Sequence, residues 1–469
     1  MANRHPVKDV VILLPGILGS VLERDGKEVW ALTPGALFRG LLTLGRSVTS
    51  LELSGDDTGR DLGDGVRATQ LMPDVHLIPG FWKIDGYGKI KQRMFDLFDF
   101  TGGLNWFDFP YDWRRDNRVA ATRLAELAPR WLSEFRRQSG QPDAKLILVG
   151  HSMGGLVARH YLEMLDGWKD TRALVTFGTP YRGSLNALNV LANGLEKGLG
   201  PFRLDLTRML RSFPSVYQLR PIYPCVDDGT GAPVKIAAAA GLPDEIDHSR
   251  VVAAQDFHED IAEAVDRNGS DGRYHILPVA GIFQPTLQSA DVRGQAVTMK
   301  SELEGDDDGG DGTVPRVSAT PIELSDAQRE VYATESHSTL QNVDAVLVQL
   351  AGLLTWKPLG AYRGSPFDGL PLEVDDVIPP LEPVEVGVAT AAPILNVGVL
   401  LENVDTGDRF QGRGEVTEGQ ANLTLPPTPA GLYRISAQDL DSTGVKPVHD
   451  LILVSDDATA EQILDADPD

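Results

Sequence analysis

Three residues far apart in this chain are of the types that perform nucleophilic acyl transfer. Ser152 lies in Gly150-His151-Ser152-Met153-Gly154, Asp311 in Gly310-Asp311-Gly312-Thr313-Val314-Pro315, and His337 in Glu335-Ser336-His337-Ser338-Thr339-Leu340. A serine hydroxyl is a weak nucleophile until a base takes its proton, and that base needs a carboxylate to fix its tautomer and to stabilise its cation. Hydrolases with a G-x-S-x-G elbow supply these in the order serine, acid, histidine. Of the nine histidines, only His337 and His449 follow the acidic loop near residue 311. His449 sits in the β-like stretch Lys446 to Val454, which leaves His337 as base. The acid is to be chosen among Asp306, Asp307, Asp308 and Asp311. Glycines flank Asp311 and permit a sharp turn that buries one carboxylate, whereas three adjacent aspartates favour solvent. The run Glu304 to Asp311 does not fit the alternating ligand positions of a calcium loop, so neither a metal nor a cofactor is expected.

Such a serine must be held by a strand and a helix. Leu146 to Val149 form an apolar run of the length of a strand buried on both faces. Leu156, Val157, Tyr161, Leu162 and Leu165 then recur at helical spacing. In a nucleophile elbow the serine occupies a strained turn while the glycines let strand and helix approach. A second apolar strand, Val10 to Leu14, runs into Pro15-Gly16-Ile17-Leu18-Gly19-Ser20. That loop is where half of an oxyanion hole is expected, so the backbone N–H groups of Ile17 and Met153 are the candidate donors. Helices are expected over 89–98 and 119–137, strands over 104–109, 171–177 and 276–283, and a further helix over 247–268. Alternation of strand and helix at this spacing argues for a mainly parallel sheet covered by helices.

At 469 residues, the chain is long enough for one large α/β unit and an attachment. Its net charge of −24 argues against a nucleic-acid partner and against general adhesion to anionic membranes. A single cysteine, Cys225, excludes an intramolecular disulfide and makes a reducing cytoplasm the expected compartment. Residues 31–84 lack a clean period and read as an insertion beside the site, with apolar points at Phe38, Leu42 and Trp82. Residues 182–230 read as a cap. Between Arg182 and Arg220 this segment carries six basic residues against two acidic ones. Arg182, Leu188, Leu191 and Phe202, with Trp82, are the candidate substrate contacts, because a basic, apolar cap suits an acyl chain with an anionic head and offers a local contact with a membrane. A helical subdomain with solvated arginines would have the same composition.

In that order, Pro15-Gly-Ile-Leu-Gly19, Pro79-Gly-Phe81, Tyr111-Asp-Trp-Arg114, the elbow, Gly310-Asp-Gly-Thr-Val314 and His337 make the chain resemble the lecithin:cholesterol acyltransferase family of α/β hydrolases, which includes lysosomal phospholipase A2 and phospholipid:diacylglycerol acyltransferases. The likeness runs from Val10 to about Leu354. It implies an α/β-hydrolase fold with cap and lid insertions, Ser152, Asp311 and His337 as triad, Ile17 and Met153 as oxyanion hole, and a glycerophospholipid ester as acyl donor. Two features depart from the family. Extracellular relatives close the lid with a disulfide that one cysteine cannot make, and Ser20 stands where an asparagine is usual.

The hydrolase unit is thus expected over 1–357, a proline- and glycine-rich linker over 358–383, and a small antiparallel β domain with an acidic tail over 384–469. The β domain carries no evident catalytic set and either binds an unidentified protein partner or docks as a stabilising module. The function expected is serine-dependent lipid acyl hydrolysis or O-acyl transfer. An esterase acting on soluble esters and a catalytically silent scaffold are the alternatives.

Overall fold

The computed structural model describes residues 4–30, 51–56, 58, 61–72, 76–78, 82–84, 86–197, 204–268, 274–324, 331–343, 346–347, 350–351, 354, 370–390, 394, 396–417, 419–441, 445 and 447–455. Its centre is a six-stranded sheet made of β1 (Val10–Leu14), β2 (Trp106–Asp108), β3 (Leu146–His151), β4 (Thr171–Phe177), β5 (His275–Gly281) and β6 (Val331–Ala333). Their order is β6-β5-β4-β3-β1-β2, and every pairing between neighbours is parallel. Parallel strands need crossovers, and the helices that supply them cover both faces; hence the all-buried runs VVILL in β1 and LILVGH in β3. Around the sheet lie α1 (Gly88–Leu97), α2 (Asn117–Ser139), α3 (Met153–Met164), α4 (Leu185–Asn193) and α5 (His248–Asn268). This is the α/β-hydrolase fold.

The helices begin and end where local chemistry dictates. Asp116 caps α2 by accepting the Arg118 N–H, and Gly140 closes it in the left-handed conformation. Ser184 caps α4 through the Asn186 N–H. Asp25 and Gly26, at φ 52° and 76°, form the turn between antiparallel strands Ser20–Arg24 and Lys27–Trp30, as an Asp-Gly hairpin requires. Within the insertion, Val66–Leu71 adds to that hairpin and His76–Ile78 pairs with Trp82–Ile84. Phe38, Leu42 and Pro79-Gly-Phe81 lie outside the described residues. In the cap, α4 is followed by a short hairpin, Glu196–Lys197 with Leu204–Asp205, and two one-turn helices, Thr207–Arg211 and Pro214–Gln218. After β6 the chain forms a 3-10 turn, Leu340–Asn342, with helical residues at 346–347, 350–351 and 354.

Beyond the hydrolase unit, β7 (Val384–Ala389), β8 (Asn396–Asn403), β9 (Arg409–Glu415), β10 (Gln420–Leu425), β11 (Gly431–Asp439) and β12 (Val448–Val454) build two sheets around their own core. All the ladders between these labelled strands are antiparallel; the short strand Val377–Ile378 runs parallel to β12.

Candidate active site

Ser152 sits between β3 and α3 at φ 51°, ψ −125°, a conformation unfavourable for a residue with a Cβ. The surroundings hold it there. A Cβ at Gly154 would lie 2.5 Å from the carbonyl oxygens of Leu14 and Pro15, and one at Gly150 would lie 2.8 Å from Gly155 Cα. Helix and strands therefore approach as closely as glycine alone allows. Thr179, just past β4, donates its hydroxyl to the Ser152 carbonyl at 2.9 Å, and the Ser152 N–H donates to the Phe177 carbonyl at 2.8 Å.

The loops after β5 and β6 bring the other two residues to the serine. His337 Nδ1 lies 2.7 Å from Asp311 Oδ2, and His337 Nε2 lies 2.9 Å from Ser152 Oγ. An ionised carboxylate only accepts, so Nδ1 carries the proton and Nε2 presents its lone pair to the serine hydroxyl. The other Asp311 oxygen, Oδ1, accepts the N–H groups of Thr313 at 2.9 Å and Val314 at 2.7 Å. These bonds fix the carboxylate plane, and the His337 N–H returns to the Asp311 carbonyl at 2.7 Å. Asp311 is buried, whereas Asp306, Asp307 and Asp308 are exposed. Gly178 makes room for the pair: a Cβ there would meet Asp311 Oδ2 at 2.7 Å and His337 Nδ1 at 2.8 Å.

The loop after β1 closes the other side. A Cβ at Gly16 would lie 2.9 Å from Ser152 Cβ, which sets the Pro15–Ile17 backbone directly against the serine. Met153 is the first residue of α3, where an N–H has no acceptor within the helix. Tyr111 donates its hydroxyl to the Pro15 carbonyl at 2.7 Å, and Trp113 Nε1 donates to the Ser20 carbonyl at 3.0 Å. Arg114 is buried in ion pairs with Asp112 and Asp64, so the Tyr111-Asp-Trp-Arg114 segment is a brace for this loop. Ser20 Oγ accepts the Tyr111 N–H at 3.1 Å.

Sequence reasoning missed Tyr87 and His151. Tyr87 Oη accepts the Gly16 N–H at 2.7 Å and lies 2.9 Å from His151 Nδ1. His151 Nε2 lies 3.1 Å from the His337 carbonyl oxygen. Burial, with His337 as a second cause, pushes the His151 imidazole down to about 3, so it stays neutral. His151 was visible only as the variable position of the elbow; for Tyr87 the sequence offers no signal.

Ser152 is fully buried. A cavity of about 260 Å³ opens beside Asp311 and His337, bounded on its far side by Leu372, Val374 and Asp450. Leu188 and Leu191 of α4 are buried in the apolar core. Arg182 instead lines a separate cavity of about 290 Å³, with Leu156, Tyr181, Tyr223 and His258. Phe202 lies outside the described residues, as does the Trp82 side chain. Among the described residues no group of three or more His, Cys, Asp or Glu side chains is placed to hold a metal ion.

Residues 96–253 match the family model of lecithin:cholesterol acyltransferase. Over 220 residues the chain is 28% identical to lysosomal phospholipase A and acyltransferase of Homo sapiens, covering 41% of this chain and 51% of that protein. Over 250 residues it is 26% identical to lecithin-cholesterol acyltransferase-like 4 of Arabidopsis thaliana, covering 46% and 44%. Phosphatidylcholine-sterol acyltransferase of Gallus gallus is 30% identical over 142 residues, 27% and 33% of the two chains. The chain thus spans about half the length of the first two relatives, 51% and 44%, and a third of the last, 33%. Among solved structures, the Tle4-Tli4 complex aligns over 77% of this chain and all of that one at 17% identity, TM-score 0.47. The propeptide form of Bacillus licheniformis lipase BlEst2 aligns over 97% and 94% at 10% identity, TM-score 0.38.

Proposed function

We propose that this chain, which is similar to the lecithin:cholesterol acyltransferase family across the segment carrying its elbow, is a serine-dependent lipid acyl hydrolase or O-acyltransferase. The observation that carries this is the hydrogen-bonded line from Ser152 through His337 to Asp311. As the Ser152 oxygen attacks the ester carbonyl, its proton passes to His337 Nε2, and Asp311 stabilises the resulting imidazolium. The carbonyl oxygen becomes an oxyanion held by the Ile17 and Met153 N–H groups. On collapse the alcohol leaves with the proton from His337, and the acyl group remains on Ser152. Water or a lipid alcohol, deprotonated by the same imidazole, then releases it. A glycerophospholipid is the substrate class that the relatives' names favour.

The buried hydroxyl of Ser152 supports a lipid over a free soluble ester. If contact with a lipid surface is what exposes the buried hydroxyl, water is kept from it until then. Peripheral contact would fall to the exposed part of the cap, where Arg208 faces solvent beside Glu52; Arg220 is buried and Arg211 is spent on the Leu191 and Ala192 carbonyls. Cys225 is buried and free, which supports a reducing, cytoplasmic setting. No described helix is long and apolar enough to cross a membrane.

The test is incubation of the full chain with mixed phospholipid vesicles, with and without a long-chain alcohol, followed by lipid product analysis. Free fatty acid alone identifies a hydrolase; an acyl ester of the added alcohol identifies a transferase. Ser152→Ala should lower either rate by about four orders of magnitude or more while folding normally. Acyl release that survives this substitution rejects the assignment.

A further inference from the structure

The bonds that surround His151 have only one consistent set of directions. The His337 carbonyl can only accept, so His151 Nε2 must carry its proton and donate it over the 3.1 Å separation. A neutral imidazole then offers Nδ1 as an acceptor, and the Tyr87 hydroxyl, 2.9 Å away, donates to it. Its proton so committed, the Tyr87 oxygen is free to accept the Gly16 N–H at 2.7 Å. Tyr87 and His151 are both buried, and their rings meet edge to face at 5.7 Å.

The two ends of this line both reach groups that stand against Ser152. Gly16 immediately precedes Ile17, the proposed donor to the oxyanion, and a Cβ on it would meet Ser152 Cβ at 2.9 Å. At the other end, the carbonyl held by His151 belongs to the proposed base itself, whose ring centroid is 5.2 Å from that of His151. The loop also closes on the phenol: a Cβ at Gly19 would lie 2.8 Å from the Tyr87 oxygen. A buried Tyr-His pair serving only to satisfy its own polar atoms would not need to end on these two groups.

We infer that Tyr87 and His151 are positioning residues that couple the oxyanion-hole loop to the histidine loop, fixing the distance between the Ile17 N–H and the His337 imidazole across Ser152. This rests on the serine-hydrolase reading above. Neither residue touches the reacting atoms of the ester. Their contribution is to hold donors at the place where charge develops, which stabilises the transition state and leaves ground-state binding largely unchanged. Loss of the phenol hydroxyl leaves the Gly16 N–H and His151 Nδ1 without partners and lets the two loops drift apart; a drift of about 1 Å suffices to cost 100-fold in rate.

The test compares Tyr87→Phe, His151→Gln and His151→Leu in the full chain. Reactive Ser152 is counted with an organophosphorus reagent, so that kcat is expressed per competent site, with a short-chain p-nitrophenyl ester as substrate. A trifluoromethyl ketone, which forms a tetrahedral adduct with serine, reports on the oxyanion site. For Tyr87→Phe we expect kcat to fall roughly 10- to 100-fold with KM within about threefold, and the ketone to bind more weakly by a similar factor. His151→Gln, whose amide can accept from Tyr87 and donate to His337, should retain most activity; His151→Leu should match Tyr87→Phe. Joining His151→Leu to Tyr87→Phe should add little, because both remove one line of bonds. The inference is overturned if titrated Tyr87→Phe keeps kcat and ketone affinity within twofold of the parent, or if His151→Gln is as damaged as His151→Leu. An unlabelled Ser152 in the parent chain would bring down the hydrolase reading, and this coupling with it; labelling with unchanged kinetics brings down the coupling alone.

Discussion

Asp311 is held from three directions: two backbone N–H groups on Oδ1 and the imidazole on Oδ2. An asparagine there keeps the shape but can present an N–H to His337 Nδ1, which favours the tautomer whose Nε2 proton points at the serine. Asp311→Asn should therefore lower kcat by about 10^4 at neutral pH, with the chain folded and KM little changed; a loss under tenfold would remove Asp311 from the mechanism. The buried histidines predict how stability depends on pH. Burial pushes His151 down to about 3 and His160 and His258 to about 4. Each folded value lies below that of the unfolded chain, about 6.5, so the unfolded state binds the proton first as pH falls. The stability that neutrality confers is full above about pH 6.5 and is lost progressively toward pH 4 to 3. By pH 5 each group should have cost about 2 kcal/mol. Melting temperatures recorded from pH 8 to 5 should decline, and His258→Asn should flatten part of that decline. A melting temperature that rises below pH 6 would contradict neutral buried imidazoles.

At the scale of elements, the elbow works because β1, β3 and α3 meet without intervening side chains. Gly154→Ala would drive a methyl to 2.5 Å from two carbonyl oxygens, so the start of α3 would have to shift away from β1. That should cost a few kcal/mol and misplace both Ser152 and the Met153 N–H. A lowered melting temperature together with a kcat loss exceeding that of Gly140→Ala is the expected result; Gly140 also has a positive φ of 67°, but a methyl placed on it would find no atom within 4 Å. An unaltered kcat in Gly154→Ala would show that the close approach is unnecessary. The elbow was legible because its requirements are local: an apolar run, glycines at fixed offsets, then a helical period. That Asp311 and His337 come together beside Ser152 was legible through turn chemistry and chain order. Tyr87 was not, since it meets Gly16 across 71 positions and stands in no pattern of its own. Of the candidate substrate contacts, Leu188 and Leu191 owed their selection to composition alone. Hydrophobic residues at helical spacing look the same whether they face a ligand or, as in α4, a packed core.

On the scale of the whole molecule, β12 joins two cores. Leu451 and Leu453 pack into the apolar core of the hydrolase unit, together with Leu432 of β11, while Ile452 and Val454 face the core of the β domain. This is the period of two of a strand buried on both sides, and the run Leu451-Ile-Leu-Val454 already shows it. What the run cannot reveal is which surface lies opposite; that surface includes the histidine loop. Ser336 donates its hydroxyl to the His449 carbonyl at 3.0 Å, and the His449 N–H donates to Glu335 Oε2 at 3.2 Å. Ser336 and Glu335 directly precede His337, so His449 of the β domain holds the loop that carries it. The intact chain should unfold in one cooperative calorimetric transition, because neither core is complete without the shared strand. Leu451→Asp places an unpaired carboxylate in that interface, at a cost of several kcal/mol, and should divide the transition in two. Ester hydrolysis should fall in the same variant at temperatures where the hydrolase unit is still folded, since the loop carrying His337 then loses its support. Two resolved transitions in the parent chain, or full activity in Leu451→Asp after its interface has melted, would show that the β domain is a passenger.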